Sequence, residues 1–257
     1  MNVPAEPAVV PNGQAPTLAF AGVGKTFADG TVALSDVDLT VAPGEFVTIV
    51  GPSGCGKSTL LRIASGLTRL SGGSMRVNSG KVGYVFQDAT LLPWRTVQGN
   101  VELLSELHKL PRADRRRRAD EAIKLVGLSE FAGHRPRALS GGMRMRVSLA
   151  RSLTLDPELF LFDEPFGALD ELSRERLNDE LQQLFVSQRF AALFVTHSVT
   201  EAVYLSTRVV VMSGRPGRIR ADFEVPFDYP RLPQLRFEDR FSQIAGRVSR
   251  CLRGTDV

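Results

Sequence analysis

Cysteine is almost missing from this chain, with Cys55 and Cys251 the only two in 257 residues. Two thiols cannot build a disulfide framework, so nothing calls for an oxidising compartment. Long apolar runs are missing as well. The longest covers residues 190–195, far short of the roughly 18 needed for a membrane-crossing helix, so a channel or carrier is not expected. Heptads, internal repeats and low-complexity tracts are absent, which excludes a coiled coil and a collagen-like chain. The opening segment, residues 1–16, has neither the basic start nor the apolar stretch of a signal peptide. Its prolines at 4, 7, 11 and 16 make it read as a flexible leader, too proline-rich to join a sheet. One-sided charge is also lacking: the formal net charge of +4 would suit nucleic acid, phospholipid or nucleotide alike, and decides nothing.

What is present is an ordinary globular composition, 43% hydrophobic and 23% charged, enough to bury a core. Strand-like and helix-like pieces alternate from Thr17 onward, as in an α/β fold with a buried, partly parallel sheet. Residues 37–41 alternate apolar and polar, residues 46–50 read as a strand, and a helix is expected from about Lys57 to Gly66. Residues 159–163, 193–196 and 208–212 are short apolar runs of the central-strand kind, with a helix expected over 172–187 between them. From about Asp88 to Leu139 strand signals vanish, and helices are expected over 97–109 and 112–126, an all-helical insertion. Four arginines, Arg115 to Arg118, offer a nucleic-acid patch, but with Asp114, Asp120 and Glu121 as neighbours a solvated helix face is the simpler reading. After Pro226 the alternation stops, and residues 237–252 read as a terminal helix carrying Phe241, Ile244 and Val248.

The chemistry concentrates at strand ends. Gly51, Pro52, Ser53, Gly54, Cys55, Gly56, Lys57 and Ser58 fit G-x-x-x-x-G-K-[ST] between a strand and a helix. Glycines there let successive backbone N–H groups turn inward around a β-phosphate, and the helix adds its positive end. Lys57 can reach the β- and γ-phosphates, and the Ser58 hydroxyl can ligate Mg²⁺. Cys55 reads as a small filler among the glycines rather than a redox thiol. Residues 159–162 are apolar and lead into Asp163 and Glu164, which places Asp163 at the carboxyl end of a strand, where open α/β sheets bind ligands. A carboxylate there suits Mg²⁺, and Glu164 is placed to polarise an attacking water as general base. His197 ends another apolar strand near the expected γ-phosphate, whereas His108 and His134 read as structural. Gln87 follows the run 82–86 at the junction with the helical insertion, where an uncharged amide can touch Mg²⁺ or the attacking water. Ser140 is a good N-cap, and Gly141 and Gly142 beside it expose N–H groups at a helix start, a second anion site. Two phosphate sites are hard to bring onto one γ-phosphate within one chain, but two chains can do so.

In this order, from the glycine loop through Gln87, residues 139–142, residues 159–164, Ala168-Leu169-Asp170 and His197, the sequence resembles the ATP-binding subunit of an ABC transporter, over roughly Leu18 to Phe223. The resemblance implies a P-loop NTPase of the ABC type, with a mixed sheet, an inserted helical subdomain at about 88–143 and a short antiparallel β part near the N-terminus. The ATPase domain would span 17–225, followed by a C-terminal tail, 226–257, with a helix. It implies ATP and Mg²⁺ as cofactors, Phe27 stacking on adenine, and Thr59 following Ser58 at the phosphates. Ser140, Gly141 and Gly142 would act in trans on the partner's ATP, and Leu169 and Asp170 would line the seam of a homodimer around two nucleotides. Residues 87–97 and 213–219 are similar to the importers for nitrate, sulfonate, taurine and bicarbonate, and relatives handling thiamine-type pyrimidines share much of that pattern. By that resemblance an integral membrane permease docks near Leu91 and Arg95, with Trp94 either an exposed anchor or ordinary packing. An extracytoplasmic solute-binding protein takes part indirectly, no nucleic acid is expected, and the chain sits at the cytoplasmic face of a membrane. Met143 and Met145 depart from the family, which often has glutamine there. The alternative is a soluble ABC-type ATPase acting on nucleic acid or ribosomes.

Overall fold

The computed structural model describes residues 15–254, so the leader expected at 1–16 lies almost wholly outside the described residues. Strands β1 (Leu18–Thr26) and β2 (Val32–Val41) pair antiparallel. The chain then forms β3 (Phe46–Val50) and helix α1 (Lys57–Ala64), and β4 (Gly72–Val77) returns to the other side of β1. The result is a small antiparallel sheet of order β2-β1-β4. After β5 (Val82–Val85) come helices α2 (Val97–Val101), α3 (Leu103–Leu107), α4 (Arg112–Leu125) and α5 (Gly141–Leu153). The chain finishes with β6 (Leu159–Asp163), α6 (Glu171–Gln188), β7 (Ala191–Thr196), α7 (Val199–Leu205), β8 (Arg208–Met212), β9 (Ile219–Glu224) and α8 (Asp239–Arg253). The large sheet runs β5-β6-β7-β3-β8-β9. All its neighbours are parallel except β9, which lies antiparallel at the edge.

Every residue of β3, β6 and β7 is buried, because both faces of these strands are covered, as parallel sheets require. Their side chains alternate between two cores. Val47, Ile49, Leu161, Leu193 and Val195 pack toward the antiparallel sheet and α1, with Leu18, Phe20 and Leu60. Phe46, Val50, Phe160, Phe162 and Phe194 point the other way, against Leu181, Phe185 and Tyr204. Phenylalanine dominates this second core. Phe46 meets Phe185 edge-on at 5.2 Å and Phe160 meets Phe190 at 4.5 Å, geometries that favour the ring quadrupoles.

The helical region keeps a core of its own, in which Val97, Val101, Ala119, Ile123, Leu128, Val147 and Ala150 meet. The sequence predicts one helix over 97–109; the structure has two short ones, α2 and α3, meeting at Glu102, and the chain leaves α3 through Lys109 at φ +58°. The arginine run lies on α4, where Arg116 and Arg117 pair with Asp120, Asp114 and Glu121 at 3.0–4.0 Å. It is an ion-paired, solvated helix face.

The segment after Pro226 is joined to the body rather than set apart. Phe241, Ile244, Val248 and Cys251 of α8 belong to the same core as Phe46 and Phe162. Its fastening is Arg231, buried, whose guanidinium donates to the carbonyls of Val203, Tyr204 and Ser206 at 2.9 Å each and to Phe227 O at 2.8 Å. Arg231→Met would leave these acceptors without a donor. Each abandoned bond to a charged donor is worth about 1.5–3 kcal/mol, so urea unfolding is expected to show a loss of at least about 2 kcal/mol.

Candidate functional site

The site grows from the carboxyl ends of β3, β6 and β7. Beyond Val50 the chain turns through Gly54 at φ +73° and Gly56 at φ +106° before α1 begins at Lys57. Only glycine takes these angles without strain. Gly56 has a second reason to lack a side chain: a Cβ there would lie 2.7 Å from Leu34 and 2.9 Å from the Ala33 carbonyl. Cys55 is buried beneath the loop, where a Cβ on Gly51 would press on its sulfur at 2.9 Å. Burial pushes its thiol above the ordinary range, which makes it packing and not a nucleophile.

Lys57 is buried, and its ammonium donates to the carbonyls of Gly51 at 2.8 Å and Pro52 at 3.0 Å. Its third neighbour is Glu164, 3.8 Å away. A buried ammonium has to be paired in this way. Ser58 donates to Asp163 Oδ1 at 2.6 Å, and the Tyr84 hydroxyl donates to Asp163 Oδ2 at 3.2 Å. Burial, first, and then the Asp163 carboxylate hold the Tyr84 phenol well above its usual pKa, so it stays a donor. Glu164 adopts φ +46°, a left-handed conformation uncommon outside glycine. Two backbone bonds hold it there, from Glu164 N to Val195 O at 3.0 Å and from Gly167 N to Glu164 O at 3.2 Å. Enforced strain of this kind gathers at functional sites. The second Glu164 oxygen lies 3.2 Å from His197 Nδ1, and the His197 ring is 57% exposed.

Lys57, Ser58 and Glu164 line an open cleft of about 350 Å³ together with Phe27, Ser53, Gly54, Gly56, Thr59 and Gln87, among others, and Asp163 and His197 touch that lining through Ser58 and Glu164. Phe27 stands at its rim, 42% exposed, with the Lys25 ammonium 5.2 Å from its ring centre. Gln87 stands two residues beyond the end of β5 and is exposed.

Ser140, Gly141, Gly142 and Asp170 are not among the residues lining this cleft. Ser140 caps α5, accepting from Met143 N at 3.2 Å. Asp170 caps α6, accepting from Ser173 N at 3.0 Å, a bond that holds its carboxyl below the usual range. The two caps are neighbours, since a Cβ on Gly141 would meet Leu169 at 3.1 Å. Met145 is buried in the phenylalanine-rich core, which explains an apolar residue at that position, while Met143 packs at the edge of the helical core.

Trp94 is exposed at 68%, which decides between anchor and interior packing in favour of exposure. The turn that carries it is pinned by the buried Asn100, whose side chain accepts from Leu92 N at 2.7 Å and donates to Leu92 O and Thr96 O at 3.1 and 2.9 Å. Sequence reasoning missed two neighbours of the site. Tyr84 reads as an ordinary strand residue. Arg215 comes from the far side of β8, yet it lines the cleft and grips the Gly54 carbonyl.

A family model described as ABC transporter matches residues 34–167. The aliphatic sulfonates import ATP-binding protein of Mesorhizobium japonicum is 44% identical over 235 residues, covering 89% of this chain and 86% of that protein. The nitrate import ATP-binding protein of Synechococcus elongatus is 39% identical over 241 residues, 88% of each. Among solved structures, the dimeric, post-hydrolysis state of an ATP-binding cassette bound to ADP and Pi superposes with a TM-score of 0.71 at 31% identity, covering 82% of this chain and all of that one.

Gly56→Ala combines a forbidden angle with contacts below 3 Å. It is expected to cost at least about 1 kcal/mol, read as a lower melting temperature.

Proposed function

The chain belongs to the ABC transporter family as one of its ATP-binding, ATP-hydrolysing cassettes, and from that premise we propose that it powers the import of a small solute through a separate permease. An anion such as nitrate, a sulfonate or bicarbonate is the solute class, supported by relatives named for aliphatic sulfonates and nitrate import. The observation that carries the reading is the cluster in which Ser58 meets Asp163, Lys57 approaches Glu164 and Glu164 meets His197, from residues up to 140 positions apart.

In this reading the loop of residues 51–59 cradles the phosphates of ATP with its backbone N–H groups, Pro52 having none, while Lys57 lends its charge to the β- and γ-phosphates and Phe27 stacks on the base. The Ser58 hydroxyl and the Asp163 carboxylate are hard oxygen donors already in contact. That set, with the Gln87 amide, fits Mg²⁺, which takes few protein ligands and completes its shell with phosphate and water. Bound there, Mg²⁺ neutralises charge on the phosphates. Glu164, left-handed and held from both sides, accepts a proton from the attacking water, and His197 keeps that carboxylate oriented from the outer side. Ser140, Gly141, Gly142 and Asp170, which do not line this cleft, serve the nucleotide of a second copy, so the working unit is a homodimer around two ATP. The pinned turn at residues 91–95 offers Trp94 to the permease at the cytoplasmic face of the membrane, and an extracytoplasmic solute-binding protein delivers the solute. The nucleic-acid alternative leans on the arginine run, but Arg116 and Arg117 are paired with acidic neighbours and Arg118 is turned to the Thr154 carbonyl.

Glu164→Gln is expected to lower ATP turnover by roughly 10²–10⁴-fold while nucleotide binding persists. Equal loss of binding would remove the general-base role. Lys57→Ala is expected to weaken ATP binding itself, measured by titration calorimetry. Purification in mild detergent from native membranes should bring down a polytopic permease, and Trp94→Ala should reduce its recovery. Recovery of ribosomes or nucleic acid in its place would overturn the transport role.

A further inference from the structure

The loop between β8 and β9, residues 213–218, has no part in the chemistry above, yet it is wrapped against the phosphate loop. Arg215 reaches back across 161 positions and donates from Nε and Nη2 to the Gly54 carbonyl at 3.2 and 3.1 Å. Gly217 lies so close to the same loop that a Cβ on it would fall 2.1 Å from the Cys55 carbonyl. Gly217 is also bonded to β2, donating to Ala33 O at 2.9 Å and accepting from Ser35 N at 3.1 Å. Residues 33–34 are the ones that Gly56 packs against. The phosphate loop is therefore enclosed on its outer side by a strap fixed to β2, and Arg215 is the only side chain of residues 213–218 bordering the cleft.

We propose that Arg215 is a positioning residue for nucleotide binding: its two-pronged grip on the Gly54 carbonyl holds the phosphate loop in the shape that receives a β-phosphate. Three observations converge on this role. The carbonyl it holds belongs to a left-handed glycine at φ +73°, a turn of the loop that only glycine takes without strain. The peptide that carries it is held at both ends, since Cys55 N donates to Pro52 O at 3.4 Å while Gly54 O accepts from Arg215, and a loop fixed in this way keeps a defined backbone for an anion. The guanidinium also adds an exposed positive charge to a cleft lining in which Lys57 is buried. Its charge also contributes, after the Thr31 hydrogen bonds, to holding the exposed Asp29 carboxyl below its ordinary pKa. A fork of two N–H groups on one oxygen is specific to arginine; a lysine would supply charge without the fork.

The inference rests on the phosphate-loop reading, so the test carries a control for that reading. Wild-type chain, Arg215→Ala, Arg215→Lys and Lys57→Ala are titrated with ATP and with ADP, and steady-state ATP hydrolysis is followed for each. Arg215→Ala and Arg215→Lys are both expected to raise the dissociation constants for ATP and ADP in parallel by about tenfold, the worth of one charge-assisted hydrogen bond. KM for ATP should rise by more than kcat falls, and the melting curve without nucleotide should not move, since Arg215 is exposed. Wild-type affinity in Arg215→Ala overturns the proposal. So does full recovery in Arg215→Lys, which would make charge alone sufficient, and so does a loss confined to ATP, which would point to direct contact with the γ-phosphate. Failure of wild-type chain to bind nucleotide, or indifference to Lys57→Ala, would bring down the phosphate-loop reading itself.

Discussion

Three buried strands lying side by side in register, β6, β7 and β3, are the constraint on which the rest of the molecule depends. Asp163 of β6 is paired with Val195 of β7, and Val50 of β3 with Thr196. The strands therefore end within a residue of one another, and whatever follows each is delivered to the same place. Ser58 meets Asp163, Lys57 approaches Glu164, and Glu164 meets His197 as direct results of that register. A slip of one residue would turn every side chain to the opposite face. The two cores forbid it, since the phenylalanines of one face have no room among the smaller residues packed under the antiparallel sheet.

The site is an electrostatic arrangement as much as a steric one. Lys57 is buried and would be costly alone, but two loop carbonyls and Glu164 satisfy it. Asp163 is nearly buried and is satisfied by two hydroxyls, from Ser58 and Tyr84. Each charge is thus held by donors or acceptors that an incoming phosphate and cation could replace, which keeps the cleft polar and open without leaving a charge unpaired. Glu164 is held in its left-handed conformation by its own backbone bonds, so its orientation does not rely on the His197 contact alone.

The helical region stands on its own core and touches the sheet chiefly through α5, whose Leu149 and Leu153 pack against both cores. One helix consequently carries the Ser140 cap at its start and ties the two parts together along its length. The segment after Pro226 closes the other side, with Arg231 stitching it to the last carbonyls of α7 and to Ser206 beyond it.

The strand-to-loop-to-helix motif at Gly51–Ser58, the carboxylates after residues 159–162 and the histidine after residues 193–196 were all legible in the sequence, because each is a local pattern: an apolar run followed by the residue that does chemistry. The fold class was legible for the same reason, through alternation of strand and helix signals. The break between α2 and α3, the burial of α8 in the main core and the exposure of Trp94 were not. Those depend on which surfaces are covered by segments distant in sequence. Tyr84 and Arg215 were invisible as site residues on the same ground, Arg215 most of all, because the carbonyl it holds lies 161 positions earlier. Sequence by itself determined the groups that face a phosphate, since a backbone turn and its flanking residues are local. Only the tertiary structure decided what holds those groups in place, since that support comes from across the sheet.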